Sequence, residues 1–193
     1  HDSGPKHVAG QARYVDDLPT PAGSLFAHIG MSERAHARIL SMDLSAVRAA
    51  PGVVAVLTAD DVPGVNDVSP AMGDDPMFAR DLVEYVGQAI FAVVAESAAA
   101  ARAAARLVWV EYEDLPAILT IDEAMDAESW FGPPYVMARG DAESAIAAAP
   151  RTLSGRIVMG GQEHFYLEGQ VALALPGEDG DVVVHCSSQH PSE

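Results

Sequence analysis

Between Gly160 and Gln170 the sequence reads GGQEHFYLEGQ, a glycine pair followed by two glutamines, two glutamates, a histidine and two aromatics within a few residues. Paired glycines let backbone approach a bulky ligand, and a glutamine offers a donor and an acceptor without adding charge. That combination suits an oxo-anion or a metal-oxo group. The same stretch also reads as a plain surface loop, with Phe165 and Leu167 packed inward and Glu163 and Glu168 in water. Other donor-bearing residues are sparser. His164 and Glu168 stand four apart, and His185, Cys186 and His190 gather near the C-terminus. A tetrahedral zinc site needs four organised ligands, whereas a VVVHC strand would send His185 and Cys186 to opposite faces. His185 therefore reads as a strand residue and Cys186 as a small buried hydrophobe. The nucleotide-loop, zinc-protease and α/β-hydrolase motifs GxGxxG, GxxxxGK[ST], HExxH and GxSxG are missing.

Composition narrows the partners. Eleven Lys and Arg against 28 Asp and Glu leave a net charge of −17, which disfavours nucleic acid and anionic membrane surfaces. With 49% hydrophobic and 20% charged residues among 193, the balance is that of a globular chain with one substantial core or two small ones. No apolar run approaches the ~20 residues that span a bilayer, and HDSGPKHVAG lacks the basic-then-apolar pattern of a signal peptide, so a cytoplasmic location is expected. A single cysteine excludes an internal disulfide and an iron–sulfur cluster, which takes four thiolates, so any such cluster lies on another chain. The start at His1 without methionine and the end after a strand-like run suggest a piece of something longer.

The elements that would position these residues can be read from period and punctuation. Leu25, Ala27, Ile29 and Met31 alternate as one face of a half-buried strand. Asp43 is placed to cap a helix over LSAVRAA, which PG at 51 and 52 stops, and VVAVLT reads as a buried strand. Val62 to Asp81, with three prolines and two glycines, reads as a long loop. A strand over about Ala89 to Ala95, a helix capped by Ser97 and a strand with Val108, Val110 and Tyr112 on one face follow. Strand, helix and strand thus occur twice, with Val53, Val56, Ile90, Val93, Leu107 and Val110 as the expected core. After a proline- and glycine-rich linker near Ser129 to Gly140, Asp141 caps AESAIAAAP. TLSGRIVMGG, GQVALALPGEDGD and DVVVHCSS then supply three strand-like runs, the last two joined at PGEDGD. About fifty residues make a poor independent core, so this part should open a larger β-rich domain.

GGQEHFYLEG, with SSQHPSE from Ser187 to Glu193, resembles the molybdenum-site region of the xanthine dehydrogenase and aldehyde oxidase family of molybdenum hydroxylases. HVAGQARYVDDLP (His7 to Pro19) and VEYVGQAIFAVVAES (Val83 to Ser97) resemble that family's α/β-hammerhead domain. EHFYLEGQ and CSSQHPSE are most like the separately encoded molybdenum-binding subunit of bacterial xanthine dehydrogenase. The resemblance implies an α+β fold, with a hammerhead domain over 1–128, a linker over 129–140 and the incomplete start of a molybdopterin-binding domain over 141–193. It implies that the Gln162 amide hydrogen-bonds the apical oxo ligand of a molybdopterin-held molybdenum, with no direct protein ligand to the metal. The reaction implied is hydroxylation of an electron-poor carbon, such as that of hypoxanthine or xanthine, with a glutamate as general base. Electrons would leave through iron–sulfur centres and FAD on a partner chain or domains, and so to NAD. The catalytic glutamate is expected beyond Glu193, so no catalytic residue is assigned within these residues, and this piece alone should be inactive. An aldehyde or another N-heterocycle as substrate, or a non-catalytic subunit-docking module, are the alternatives.

Overall fold

A computed structural model describes residues 3–70 and 72–188; His190 and the last five residues of the SSQHPSE match lie outside them. Two compact units form, one from His1–Ala117 with Gln170–Glu193 and one from Ile118–Gly169. The first opens with a short helix, α1 (Gly4–Val8), followed by β1 (Phe26–Met31), β2 (Ala37–Asp43), α2 (Ser45–Arg48) and β3 (Val53–Leu57). A two-residue β4 (Leu82–Val83) leads to β5 (Ala89–Ala95), α3 (Ala98–Ala105) and β6 (Trp109–Asp114). One sheet has the order β1-β5-β3 and the other β4-β2-β6, with every pairing antiparallel. This is α+β architecture, as expected, and each of the two longer strand–helix–strand passages carries the chain from one sheet to the other.

The AIFAVVA run of β5 is continuously apolar because it has a strand on each side, and Ile90, Phe91, Ala92, Val93 and Ala95 are all buried. Against it lies α3, whose Ala101, Ala104 and Ala105 recur at helical spacing and bury completely or nearly so. Ile90 and Val93 are core as expected, with Val53, Val56 and Val110 packed partly buried around them. Leu107 is not. It is half exposed in the turn after α3, where its amide still donates to the Ala104 carbonyl at 2.9 Å and keeps it out of the β6 alternation.

Three strand expectations need correction. The alternating face of β1 points outward, with Ile29 41% and Met31 53% exposed. His28 and Gly30 share the face of their register partners Val93 and Phe91, and the Phe91 ring occupies the space a side chain on Gly30 would need. The strand β2 was absent from the sequence reading because a register shift between Ile39 and Ser41 breaks its period of two. And β3 is an edge strand with Val54 and Leu57 exposed rather than buried.

Most local punctuation behaves as read. The Ser97 hydroxyl accepts the Ala100 amide at 3.1 Å, whereas Asp43 lies one residue before the N-cap of α2, which is Leu44, and its carboxylate accepts the Ser45 amide at 2.8 Å. Gly52 adopts a φ of 77° to end the turn after α2. Ser97→Ala is expected to destabilise the first unit by about 1 kcal/mol, read as a lower denaturant midpoint at unchanged slope. The 62–81 segment is a loop as expected, and it is pinned. Asn66 and the buried Phe78 exchange hydrogen bonds of 2.8 and 3.0 Å, and the Ala79 amide donates to the Ala89 carbonyl at 2.8 Å.

The second unit holds α4 (Ile121–Asp126) and α5 (Ala142–Ala147), and none of its described residues is buried. The Thr120 hydroxyl accepts the Glu123 amide while the Glu123 carboxylate accepts the Thr120 and Leu119 amides, a closed capping box; Asp141 caps α5 through the Ser144 amide at 3.0 Å. The TLSGRIVMGG strand does not form among the described residues: Leu153, Ile157, Val158 and Met159 stand 81–101% exposed, with no neighbouring strand in this unit to satisfy their backbone. The predicted hairpin does form, as β7 (Ala172–Pro176) and β8 (Val182–Cys186) about a turn closed by Gly177 N–H to the Asp181 carbonyl.

The caps set a pH dependence. Backbone amides hold the Glu123 carboxyl, and the Ser144 hydroxyl and amide hold that of Asp141, below the ordinary carboxylate range. A depressed folded value stabilises the helix above the unfolded pKa and loses that support as pH falls through the folded one. Far-ultraviolet dichroism should therefore show helix loss on acidification below pH ~4, and a Glu123→Gln, Asp141→Asn pair should flatten that transition.

Candidate functional site

The 160–170 stretch lies open. A side chain built on Gly160 or Gly161 would meet nothing within 4 Å, so backbone is accessible on this run to a bulky ligand. Gln162 follows, exposed, with its amide unengaged among the described residues. Phe165 takes a left-handed φ of 53°, and its amide donates to the Glu163 carboxylate at 3.3 Å. His164 and Tyr166 stack with ring centroids 5.5 Å apart. Phe165 and Leu167 do not pack inward: they are 89% and 87% exposed, because this unit has no buried interior to receive them. The loop reading thus loses its anchor. What remains is a run of apolar and polar groups turned outward, with an amide that has no partner among the described residues beside two unobstructed glycines.

Cys186 is exposed in β8 rather than buried, since none of the β8 residues is covered, and His185 sits opposite Leu173 in the hairpin. Among the described residues, no three His, Cys, Asp or Glu side chains come together as a metal site. The open glycine pair and the exposed Gln162 amide offer room and a neutral hydrogen-bond donor to a group that brings its own metal ligands. A molybdenum held by a dithiolene cofactor is such a group.

One feature of the first unit left no trace in the sequence. A cleft of about 620 Å³ is lined by His28 to Arg34, by Ile90 and Phe91, and by Arg106, Val108 to Val110 and Tyr112. Arg34 pairs with Asp114 at 3.5 Å and lies 5.8 Å over the Tyr112 ring, and the Ser32 hydroxyl faces the Tyr112 phenol, whose pKa burial pushes up. These residues come from separated segments, and no spacing in the sequence joins them.

Comparison with known proteins bears on both units. The profile described as "Aldehyde oxidase and xanthine dehydrogenase, a/b hammerhead domain" matches residues 9–116, and that described as "Molybdopterin cofactor-binding domain" matches 129–193. Aldehyde oxidase 1 of Bos taurus is 44% identical over 99% of the chain, and xanthine dehydrogenase/oxidase of Mus musculus 41% identical over 98%. The chain spans 14% of the length of each. The aldehyde oxidoreductase of Desulfovibrio gigas superposes with a TM-score of 0.80 at 32% identity, covering 96% of this chain and 23% of that one. With the hammerhead profile over more than half its length, the chain belongs to the aldehyde oxidase and xanthine dehydrogenase family of molybdenum hydroxylases.

Proposed function

We propose that these residues serve a cytoplasmic molybdenum hydroxylase of xanthine dehydrogenase type, as its hammerhead domain and the opening part of its cofactor-binding domain. The observation that carries this is the exposed Gln162 amide, without a partner among the described residues, beside two open glycines in a segment matched by the cofactor-binding profile. When bound, molybdopterin supplies the metal centre at which oxygen is transferred to the substrate and electrons are accepted. Gln162 holds it by presenting a side-chain N–H and adds no charge that would shift the centre's protonation. The resemblance places the general base on a glutamate outside these residues, and within them Glu163 accepts the Phe165 amide at 3.3 Å. The substrate is a purine, hypoxanthine or xanthine, and the electrons pass to an iron–sulfur and FAD subunit and then to NAD.

A second reading changes only the substrate. Identity to aldehyde oxidase, at 44%, is as high as that to xanthine dehydrogenase, at 41%, which favours an aldehyde as much as a purine. The test is elemental analysis of the full-length parent, expressed with adequate molybdenum, alongside turnover of xanthine, an aromatic aldehyde and nicotinate. Molybdenum with xanthine turnover supports the first reading. Molybdenum with aldehyde or nicotinate turnover alone keeps the chemistry and moves the substrate. A folded parent without molybdenum overturns both and leaves a subunit-docking module.

A further inference from the structure

We infer that Ala117 and Ile118 form a hinge between the two units, and that the His36 imidazole before them and the Glu123 carboxylate after them confine the motion to those two residues. This holds whatever substrate or cofactor the parent takes. On the first side, the antiparallel pairing of β2 with β6 extends one residue past Asp114, where the Leu115 amide donates to the His36 carbonyl at 2.9 Å. It stops there, because Pro116 has no amide to donate. The His36 ring takes over. Its Nδ1–H donates to the Pro116 carbonyl at 2.7 Å across 80 positions of sequence, and since a carbonyl only accepts, the proton sits on Nδ1. The proline also holds Leu115 to extended backbone, which disfavours a pivot before this bond. Arg34–Asp114 and Arg38–Glu113 flank it at 3.5 and 3.7 Å, but all four side chains are more than half exposed, and such pairs contribute little.

The second side is fixed from Leu119 onward. The Leu119 and Thr120 amides both donate to one Glu123 oxygen at 3.0 Å, and Arg156 of the same unit donates to both oxygens of Asp122, at 2.7 and 2.9 Å. Between the Pro116 carbonyl and the Leu119 amide, Ala117 and Ile118 are exposed and make no hydrogen bond among the described residues. Two separate boundaries coincide with this gap. The hammerhead profile ends at residue 116, and the compact units divide between Ala117 and Ile118. Domain hinges are of this kind, a few residues that absorb the φ and ψ change between ends held rigid. Each clamp lies wholly within its own unit, so each should hold or fail without the other.

The test is amide hydrogen exchange on the full-length parent, together with the distance distribution between spin labels attached through p-acetylphenylalanine at the exposed Arg102 and Glu143, one in each unit. The Ala117 and Ile118 amides should exchange at least about 100-fold faster than those of Leu115 and Leu119. His36→Ala should speed Leu115 about tenfold, the worth of one hydrogen bond, and broaden the distance distribution. His36→Asn, whose side-chain nitrogen stands near the place of Nδ1, should restore both. Glu123→Ala should speed Leu119 and Thr120, broaden the distribution and leave Leu115 unchanged. Should His36→Ala fail to fold, Glu123→Ala carries the test from the other side. Protected Ala117 and Ile118 amides, or a distance distribution that neither variant broadens, would overturn the inference. So would a Glu123→Ala protein in which Leu115 speeds up as much as Leu119, because the segment would then open as one piece rather than about two residues.

Discussion

Replacing Gln162 by alanine in the full-length parent is expected to lower turnover about 100-fold while molybdenum content stays within about twofold of the parent's, since a single preorganised donor at a reacting centre is typically worth two to three orders of magnitude. The side chain is exposed and unengaged among the described residues, so its loss removes no packing and should leave the denaturation midpoint unchanged. Gln162→Glu discriminates donor from bulk. A carboxylate keeps the size, accepts only, and adds a negative charge, so it should be at least as damaging as alanine, whereas Gln162→Asn keeps the amide and should recover part of the rate at a shorter reach. The loss should appear in kcat as well as in kcat/KM, because a donor aimed at the metal centre acts on the reacting state more than on substrate binding. Full activity in Gln162→Ala would remove the amide from the centre and return GGQEHFYLEGQ to an outward-turned loop.

The site and the fold were legible to different depths, and the reasons are local. The 160–170 stretch is one contiguous string, so the resemblance that points to Gln162 needed no knowledge of the fold. The β5 strand could be bounded to the residue because Gly87 and Ser97 punctuate an unbroken apolar run, and α3 because Ser97 caps it. The face of β1 was misread since alternation tells which residues share a side and not which side the core is on. Its inward face is set by an absence, the missing side chain of Gly30 beneath Phe91, and a glycine leaves no mark on a hydrophobic pattern. The 152–161 run fails as a strand for another reason. Backbone pairing is a property of two segments, and within its unit no described strand lies beside it. The cleft is hidden for the same reason, being made where three separated segments meet.

The Gly30–Phe91 contact is where the largest losses of stability should fall. A methyl group there would sit within the Phe91 ring, at the centre of a buried cluster that includes Ile90 and Val93, and neither strand can yield without breaking the Gly30–Phe91 register. Gly30→Ala should therefore destabilise the chain by about 3 kcal/mol, the upper part of the range for overpacking. Phe91→Ala should cost about 3–5 kcal/mol through the cavity it leaves. In the double variant the new methyl group enters that cavity, so the combined loss should be no larger than that of Phe91→Ala alone, a coupling of about 3 kcal/mol. Urea denaturation of the four proteins measures it, and simple additivity would mean that the ring escapes the methyl by another rotamer.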